Sequence, residues 1–417
     1  MTIRRILSLY TRFAGVLMMI IALALCVSCV HIEEVGDSYK RTVLVYIAAD
    51  NNGLTGAANS NLLSMKKSLK RGIKDANLLV FVDKEGDKPM LLRMHDGRQD
   101  TLIVYKEMDS SKPAVLSYVI DYVRENWQAD YYGLVLWSHG TGWIPTSQLH
   151  FVAPNFNYIQ SRDGSHGGTS VLKYQRYASE GTKAFAWEDK YNQTPPYSCM
   201  ELDDLAKVIP DGMFDYIVFD ACYMGNVEVA YALRHKARYI VSSCYEIVDQ
   251  GLPYKNVTCD LLKGNLIKIC RDFYSYYYDC QSGWERMAGI SLVKTDQLDS
   301  LAHCFRKIVA ERKDIIQKIN VAEIQHFDRF RNHVFYDLED FVDKIGTNDE
   351  FKKEFHRQLE ECIPFKKSTP YIFPDNIDSI KVEKYCGLSV YIPVSKYEAS
   401  GLNDDYRKTE WSIDTDY

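Results

Sequence analysis

Two short apolar runs in this chain each end in a side chain that can do covalent chemistry. Tyr132-Gly133-Leu134-Val135-Leu136-Trp137-Ser138 leads into His139-Gly140, and Phe214-Asp215-Tyr216-Ile217-Val218-Phe219 leads into Asp220-Ala221-Cys222. An imidazole beside a thiol can take its proton or stabilise the thiolate, and a thiolate attacks carbonyl carbon, so the pair is the minimum for cysteine nucleophilic catalysis. Taken alone, a buried cysteine is a small core hydrophobe and a His-Gly pair is a strand end followed by a turn. Their shared context carries the weight. Both runs are continuous, rich in β-branched or aromatic residues and stopped by small ones, which reads as buried parallel strands whose carboxyl ends open on a crevice.

The elements that must position these two residues follow from periodicity. Strands are predicted at Thr42–Ala49, Asn77–Asp83, Thr101–Lys106, Gly133–Trp137, Tyr216–Phe219 and Tyr239–Ser242, with helices at Ala57–Lys70, Pro113–Trp127, Cys199–Ile209 and Val227–His235. Strand, crossover helix and strand in repetition predict an α/β fold with a mainly parallel sheet covered on both faces. Residues 41–255 are read as the catalytic domain. After Tyr254 the pattern turns helical, at Leu261–Tyr278, Asp296–Ile319 and Asp337–Ile345, with added strands at Met287–Val293 and Gly387–Ile392. Residues 256–417 are therefore read as a largely helical C-terminal subdomain packed on the sheet. Between them, residues 144–197 lose periodicity and carry Gly164, Gly167, Gly168, Gly181 and Pro195-Pro196, the composition of a lid or binding loop.

Composition fits a globular enzyme: 46% hydrophobic and 25% charged over 417 residues, ample for a large core. The net charge of -6 gives no reason to expect nucleic-acid binding. His95, His150, His166 and His326 lack partners at metal-ligand spacing, so no metal site is expected. Ala49-Asp50-Asn51-Asn52-Gly53 lacks the glycine pattern of dinucleotide binders. Asp50 and Asn51 are expected to shape the turn after the first strand.

The N-terminus reads as a targeting segment. Arg4, Arg5 and Arg12 precede or flank an apolar run from Phe13 to Val27, followed by Ser28-Cys29. The boundary resembles a bacterial lipoprotein cleavage site: residues 1–28 form the signal peptide, Cys29 is lipidated, and 29–40 is a tether. The competing reading, an uncleaved membrane anchor, is disfavoured because a span needs roughly 20 apolar residues. Export implies an oxidising compartment, and the nine cysteines beyond the signal are an odd number, which leaves one thiol unpaired.

The motifs together resemble the clostripain family of cysteine peptidases, relatives of caspases, legumains and gingipains. Thr42 to Asn52 is similar to the family's first strand and Asp-Asn turn. Trp137-Ser138-His139-Gly140-Thr141-Gly142-Trp143 is similar to its histidine block, and Asp220 to Ala230 to its nucleophile and following helix. The resemblance implies a caspase-like α/β/α sandwich, with Cys222 as nucleophile, His139 as general acid and base, and the backbone N–H groups of Gly140 and Cys222 as oxyanion donors. It places Asp220 in a pocket for the basic residue before the cleaved bond, implying hydrolysis after Arg or Lys. The other reading of Asp220 is a strand-end carboxylate that caps backbone N–H groups. Asp249 and Glu246 could line the same pocket, and Ser242 and Ser243 could touch the substrate backbone. Expected partners are peptides with basic residues. Some relatives are zymogens cut after a basic residue in the segment that follows the histidine, where Arg162, Lys173, Arg176 and Lys183 lie; an uncut binding loop is the alternative. No cofactor is expected; calcium helps some relatives, but no calcium loop is identifiable here. A surface binding protein that kept the fold but lost activity, or a transpeptidase or amidase on the same scaffold, are the competing functions.

Overall fold

The computed structural model describes residues 40–51, 53–152, 185–188 and 198–417. Strand β1 (Arg41–Ala49) is buried along its whole length, as its sequence Arg-Thr-Val-Leu-Val-Tyr-Ile-Ala-Ala requires of a strand covered on both faces. It pairs in parallel with β2 (Ala76–Lys84) on one side and with β5 (Tyr131–Trp137) on the other. β8 (Phe214–Asp220) pairs in parallel with β5, and β9 (Ala237–Ser242) with β8. The parallel centre is flanked by antiparallel strands: β3 (Met90–His95) and β4 (Arg98–Val104) beyond β2, and β10 (Gly289–Lys294) and β12 (Phe365–Ser368) beyond β9. The nine-stranded order is β12-β10-β9-β8-β5-β1-β2-β3-β4. Short pairs β6 (Phe185–Glu188) with β7 (Ser198–Met200), β11 (Tyr336–Asp337) with β15 (Ser389–Val390), and β13 (Tyr371–Ile372) with β14 (Ile380–Lys381) stand apart from it.

Helices cover both faces, completing the α/β/α sandwich expected from the sequence. One layer holds α1 (Thr55–Ser68), α5 (Tyr254–Lys263) and α6 (Leu266–Cys280); the other holds α2 (Pro113–Asn126), α3 (Leu202–Val208), α4 (Val227–Ala232) and α7 (Leu298–Ile316). α2 begins with Pro113 at its first turn and buries Val115, Leu116, Val119, Ile120 and Val123, the spacing of one helical face. α8 (Leu338–Ile345) starts on an Asp337 side-chain cap, and α9 (Asp349–Cys362) on an Asn348 cap. The core is one continuous cluster running from β1 through these helices to Trp411. Tyr39 to Tyr417 form one compact unit.

Several elements differ from expectation for identifiable reasons. The strand expected at Thr101–Lys106 is the second arm of a hairpin whose first arm, β3, went unread. Its turn is Asp96-Gly97, both at positive φ, a two-residue connection with an Asp-Gly signal. The helix expected over Leu261–Tyr278 is two helices, separated where Gly264 turns left-handed at φ 75° and caps the first. Cys199 belongs to a strand, and the helix begins only at Leu202. The C-terminal strand shrinks to Ser389–Val390 and pairs with β11 rather than joining the large sheet.

Among the described residues, no helix is long and apolar enough to cross a membrane. The N-terminal segment with Cys29, and Arg162, Lys173, Arg176 and Lys183 of the long connection, lie outside the described residues.

Candidate active site

β5 and β8 run parallel with Trp137 opposite Asp220. Two residues further along each, His139 and Cys222 leave neighbouring strand ends from matching positions, because parallel strands in register carry equivalent residues to the same edge. The two chain ends are tied together. Ser138 N–H donates to the Asp220 carbonyl at 3.4 Å, and Ser138 Oγ donates to the Ala48 carbonyl of β1 at 2.7 Å. A Cβ on Gly140 would lie 2.6 Å from the Cys222 carbonyl oxygen and 3.1 Å from Ala221 Cβ, so only glycine allows the His139 and Cys222 segments to approach this closely. Gly140 also forms an isolated antiparallel bridge with Phe185 of β6.

The turn after Cys222 is over-determined. Tyr223 sits at φ 59°, a left-handed conformation unusual for a tyrosine, and its N–H donates to the Tyr245 carbonyl at 3.2 Å. Gly225 N–H donates to the Ser243 carbonyl at 2.7 Å. Asn226 then caps α4: its side-chain oxygen accepts from Val229 N–H at 3.1 Å and its amide donates to the Tyr223 carbonyl at 2.6 Å. The segment 243–247 beyond β9 is thus bound to the chain that carries and follows Cys222.

Cys222 is half-buried. Its sulfur accepts from Ile247 N–H at 3.3 Å and donates to the Ile247 carbonyl at 3.7 Å. Burial pushes the thiol up to about 12, with the Glu246, Asp249 and Asp220 carboxylates adding to the shift and the Ile247 N–H opposing it. Burial thus favours the neutral thiol.

Asp220 is buried, 4% exposed. Leu252 N–H points at both carboxylate oxygens, 3.0 Å from each, and Tyr254 donates its hydroxyl at 2.9 Å. Desolvation outweighs these donors and raises the carboxyl to about 7. A Cβ on Gly251, which sits at φ 63°, would come within 2.6 Å of both Asp220 oxygens; this glycine is what lets the 249–252 turn close over the carboxylate.

The remaining candidates are distributed around this core. Ser242 and Ser243 are buried, and the Ser243 hydroxyl is spent on the Tyr245 backbone, donating to its carbonyl at 2.9 Å and accepting its N–H at 3.2 Å. Asp249 is exposed, and its carboxylate is near enough to Cys222 to raise the thiol. Glu246 faces inward, accepting the Tyr223 hydroxyl at 2.7 Å and Arg329 at 3.0 Å. Ile247, Gly251, Leu252, Tyr254 and Arg329 were not legible as site residues; the Gly251-Leu252-Pro253-Tyr254 run was the available signal. The expectation that His326 lacks metal-ligand company is corrected: His326, Asp328 and His333 bring ligand atoms within 4.8 Å of one another. A turn between residues 328 and 335, which spacing does not reveal, closes that cluster. His95 instead pairs with Asp96 and Asp100 in the β3–β4 hairpin. The side chains of His150 and His166 lie outside the described residues. The eight cysteines whose side chains are described, Cys222 among them, are all free thiols.

Comparison with known proteins gives the family and the fold. The sequence profile of the clostripain family covers residues 45–161 and 164–414. Clostripain of Hathewaya histolytica is 26% identical over 253 residues, 52% of this chain but 41% of that protein, so the match spans about two fifths of the relative. The crystal structure of the inactive zymogen of a C11 protease from Parabacteroides distasonis is 31% identical, covering 90% of this chain and 97% of that one with a TM-score of 0.72. A secreted C11 cysteine protease from Bacteroides thetaiotaomicron, bound to an irreversible peptide inhibitor, is 26% identical over 90% of this chain and 99% of that one, TM-score 0.73. A parallel sheet that sets His139 and Cys222 on adjacent strand ends, within a chain matched almost throughout by the family profile, makes this protein a member of the clostripain family, with its caspase-like fold.

Proposed function

We propose that this protein is an exported, lipid-anchored cysteine endopeptidase that hydrolyses peptide bonds after Arg or Lys through Cys222 and His139. The observation that carries the reading is the register of β5 and β8, which delivers the imidazole and the thiol to one edge from equivalent positions.

The chemistry follows from the groups present. His139 takes the thiol proton as the sulfur of Cys222 attacks the peptide carbonyl carbon, and the oxyanion that forms is met by the N–H groups of Gly140 and Cys222, whose backbones lie in contact. Collapse breaks the C–N bond, with the proton on His139 passing to the leaving amine, and leaves a thioester on Cys222. Water, deprotonated by His139, resolves the thioester to acid and thiol. Asp220 supports a basic preference: it is a carboxylate two residues before the nucleophile, with acceptor capacity left beyond Leu252 N–H and the Tyr254 hydroxyl. A substrate guanidinium reaching it would draw out the ionised form by charge complementarity. Asp249, exposed and near enough to raise the Cys222 thiol, adds a second carboxylate in support of that preference. The relative described as secreted, and the signal-like N-terminus with Cys29, support export and anchoring; the zymogen relative supports cutting of the segment after His139.

The test compares fluorogenic peptides ending in Arg, Lys, Asp and Asn, using wild type and Cys222→Ala. Cleavage after Arg or Lys, abolished in the variant, is expected; a preference for an acidic residue, or hydrolysis retained by Cys222→Ala, refutes the proposal. N-terminal sequencing of both preparations reads out any self-cleavage, and loss of membrane partitioning in Cys29→Ala tests the anchor.

A further inference from the structure

His326 and His333 stack ring on ring, centroids 3.8 Å apart and planes 24° from parallel. Nδ1 of His333 lies 2.9 Å from Asp328 Oδ1, and Nδ1 of His326 lies 3.0 Å from the Asp328 backbone carbonyl. Carbonyl and carboxylate oxygens only accept, so in the neutral rings these partners place the proton on Nδ1 in both. Each Nε2 is then left with its lone pair, and among the described residues neither Nε2 has a hydrogen-bonding partner. A histidine whose Nδ1–H is held by a carbonyl or carboxylate is oriented as metal-binding histidines are.

Asp328 itself is fully occupied. Its carboxylate accepts Phe330 N–H at 3.1 Å, Val334 N–H at 3.0 Å, Phe335 N–H at 2.9 Å and the His333 ring, which fills the roughly four acceptor positions a carboxylate offers. Its part is to hold the loop and aim the rings. Both imidazoles line a cavity of about 850 Å³, and so does the exposed Asp378, whose carboxylate has no hydrogen bond among the described residues.

We propose that His326 and His333 bind a divalent transition-metal ion through Nε2, with Asp328 as the positioning residue and water or a cavity carboxylate such as Asp378 completing the shell. Imidazole ligands select Zn²⁺, Co²⁺, Ni²⁺ or Cu²⁺ over Ca²⁺ or Mg²⁺. The roughly 2.0–2.1 Å Zn–N bonds need the rings to tilt toward one ion about their Nδ1 hydrogen bonds, and the 38% exposure of the His333 side chain leaves solvent rather than packed protein along part of its ring. Burial and the neighbouring His333 hold His326 below its usual range, favouring the neutral form that a metal requires. Burial opposes protonation of His333 too, but Asp328 raises it on balance, so a proton competes for this ring as pH falls.

The test uses the full chain carrying Cys222→Ala, which removes the dyad thiol as a competing ligand, titrated at pH 7.5 with Zn²⁺ by calorimetry and with Co²⁺ by visible absorption. One site is expected, weakened at least ten-fold by His326→Gln, whose ring hydrogen-bonds, among the described residues, only the Asp328 backbone carbonyl and whose loss leaves the four bonds of the Asp328 carboxylate in place; unchanged melting checks this. Adding His139→Ala instead should leave binding unchanged. Absence of binding, equal affinity in the His326→Gln variant, loss on His139→Ala, or displacement by equimolar Ca²⁺ each overturns the proposal.

Discussion

Asp220 and Asp328 are both buried aspartates, and the difference in how they are held separates a carboxylate with acceptor capacity to spare from one used up in construction. Asp220 ends a core strand and receives one backbone N–H, shared between its oxygens, and one phenol. Asp328 sits in a loop and receives three backbone N–H groups and an imidazole. A carboxylate with spare acceptor capacity in a dry site is under tension, and a cation is what relieves it. A saturated one organises its own chain and has nothing left to offer a ligand.

The largest effect expected around the Asp220 edge is kinetic. On the proposed mechanism, His139→Ala should lower kcat by about 10²–10⁴-fold with little change in melting temperature, since it takes away the proposed acid and base but no core packing. At the other region the largest effect is on folding: Asp328→Ala strands three buried N–H donors and should cost about 3–5 kcal/mol in a denaturant titration. Asp220→Asn should be milder in stability, within about 1–2 kcal/mol, yet lower kcat/KM for arginyl peptides about 100-fold. If Asp220→Asn proves as destabilising as Asp328→Ala and leaves arginyl selectivity intact, the contrast collapses.

A pH series sharpens the same contrast. The Asp220 carboxyl is raised in the folded protein to about 7 from an ordinary value of 3.8, so the stability it contributes is fully present below that ordinary value and is lost as pH rises through about 7. Denaturation midpoints at pH 5 and pH 8 should therefore converge between wild type and Asp220→Asn, wild type losing ground at pH 8. A reversible arginyl inhibitor should bind wild type more tightly as pH rises through 7, because it needs the ionised form; a flat profile would contradict the burial argument. Smallest of all, Tyr254→Phe removes one donor to Asp220 and should cost about 1 kcal/mol or less, read as an upward movement of that same pH midpoint.

The strands that carry His139 and Cys222 were legible because a buried parallel strand is apolar along its length, and the residues just past such a run reach the sheet's carboxyl edge by geometry alone. The Asp96-Gly97 turn was equally legible in principle, as was the Gly264 break. What closes over Asp220 was not, since Gly251 and Tyr254 reach it from 31 and 34 positions away along the chain, outside any local period. The Asp328 loop is harder still. Its bonds run from one side chain to backbone N–H groups, and backbone donors leave no mark in the choice of residues at 330, 334 and 335.

By itself the sequence determined the sheet's parallel centre and singled out Cys222 and His139 as the residues past two core strand ends, because burial period and strand-end position are local properties that each segment expresses alone. The tertiary structure decided the rest: that Ile247 holds the thiol, that desolvation rather than charge dominates Asp220, and that two histidines seven residues apart stack over one cavity. Those outcomes depend on which distant backbone groups arrive at a given point and how much water they exclude, and only the packed chain sets both.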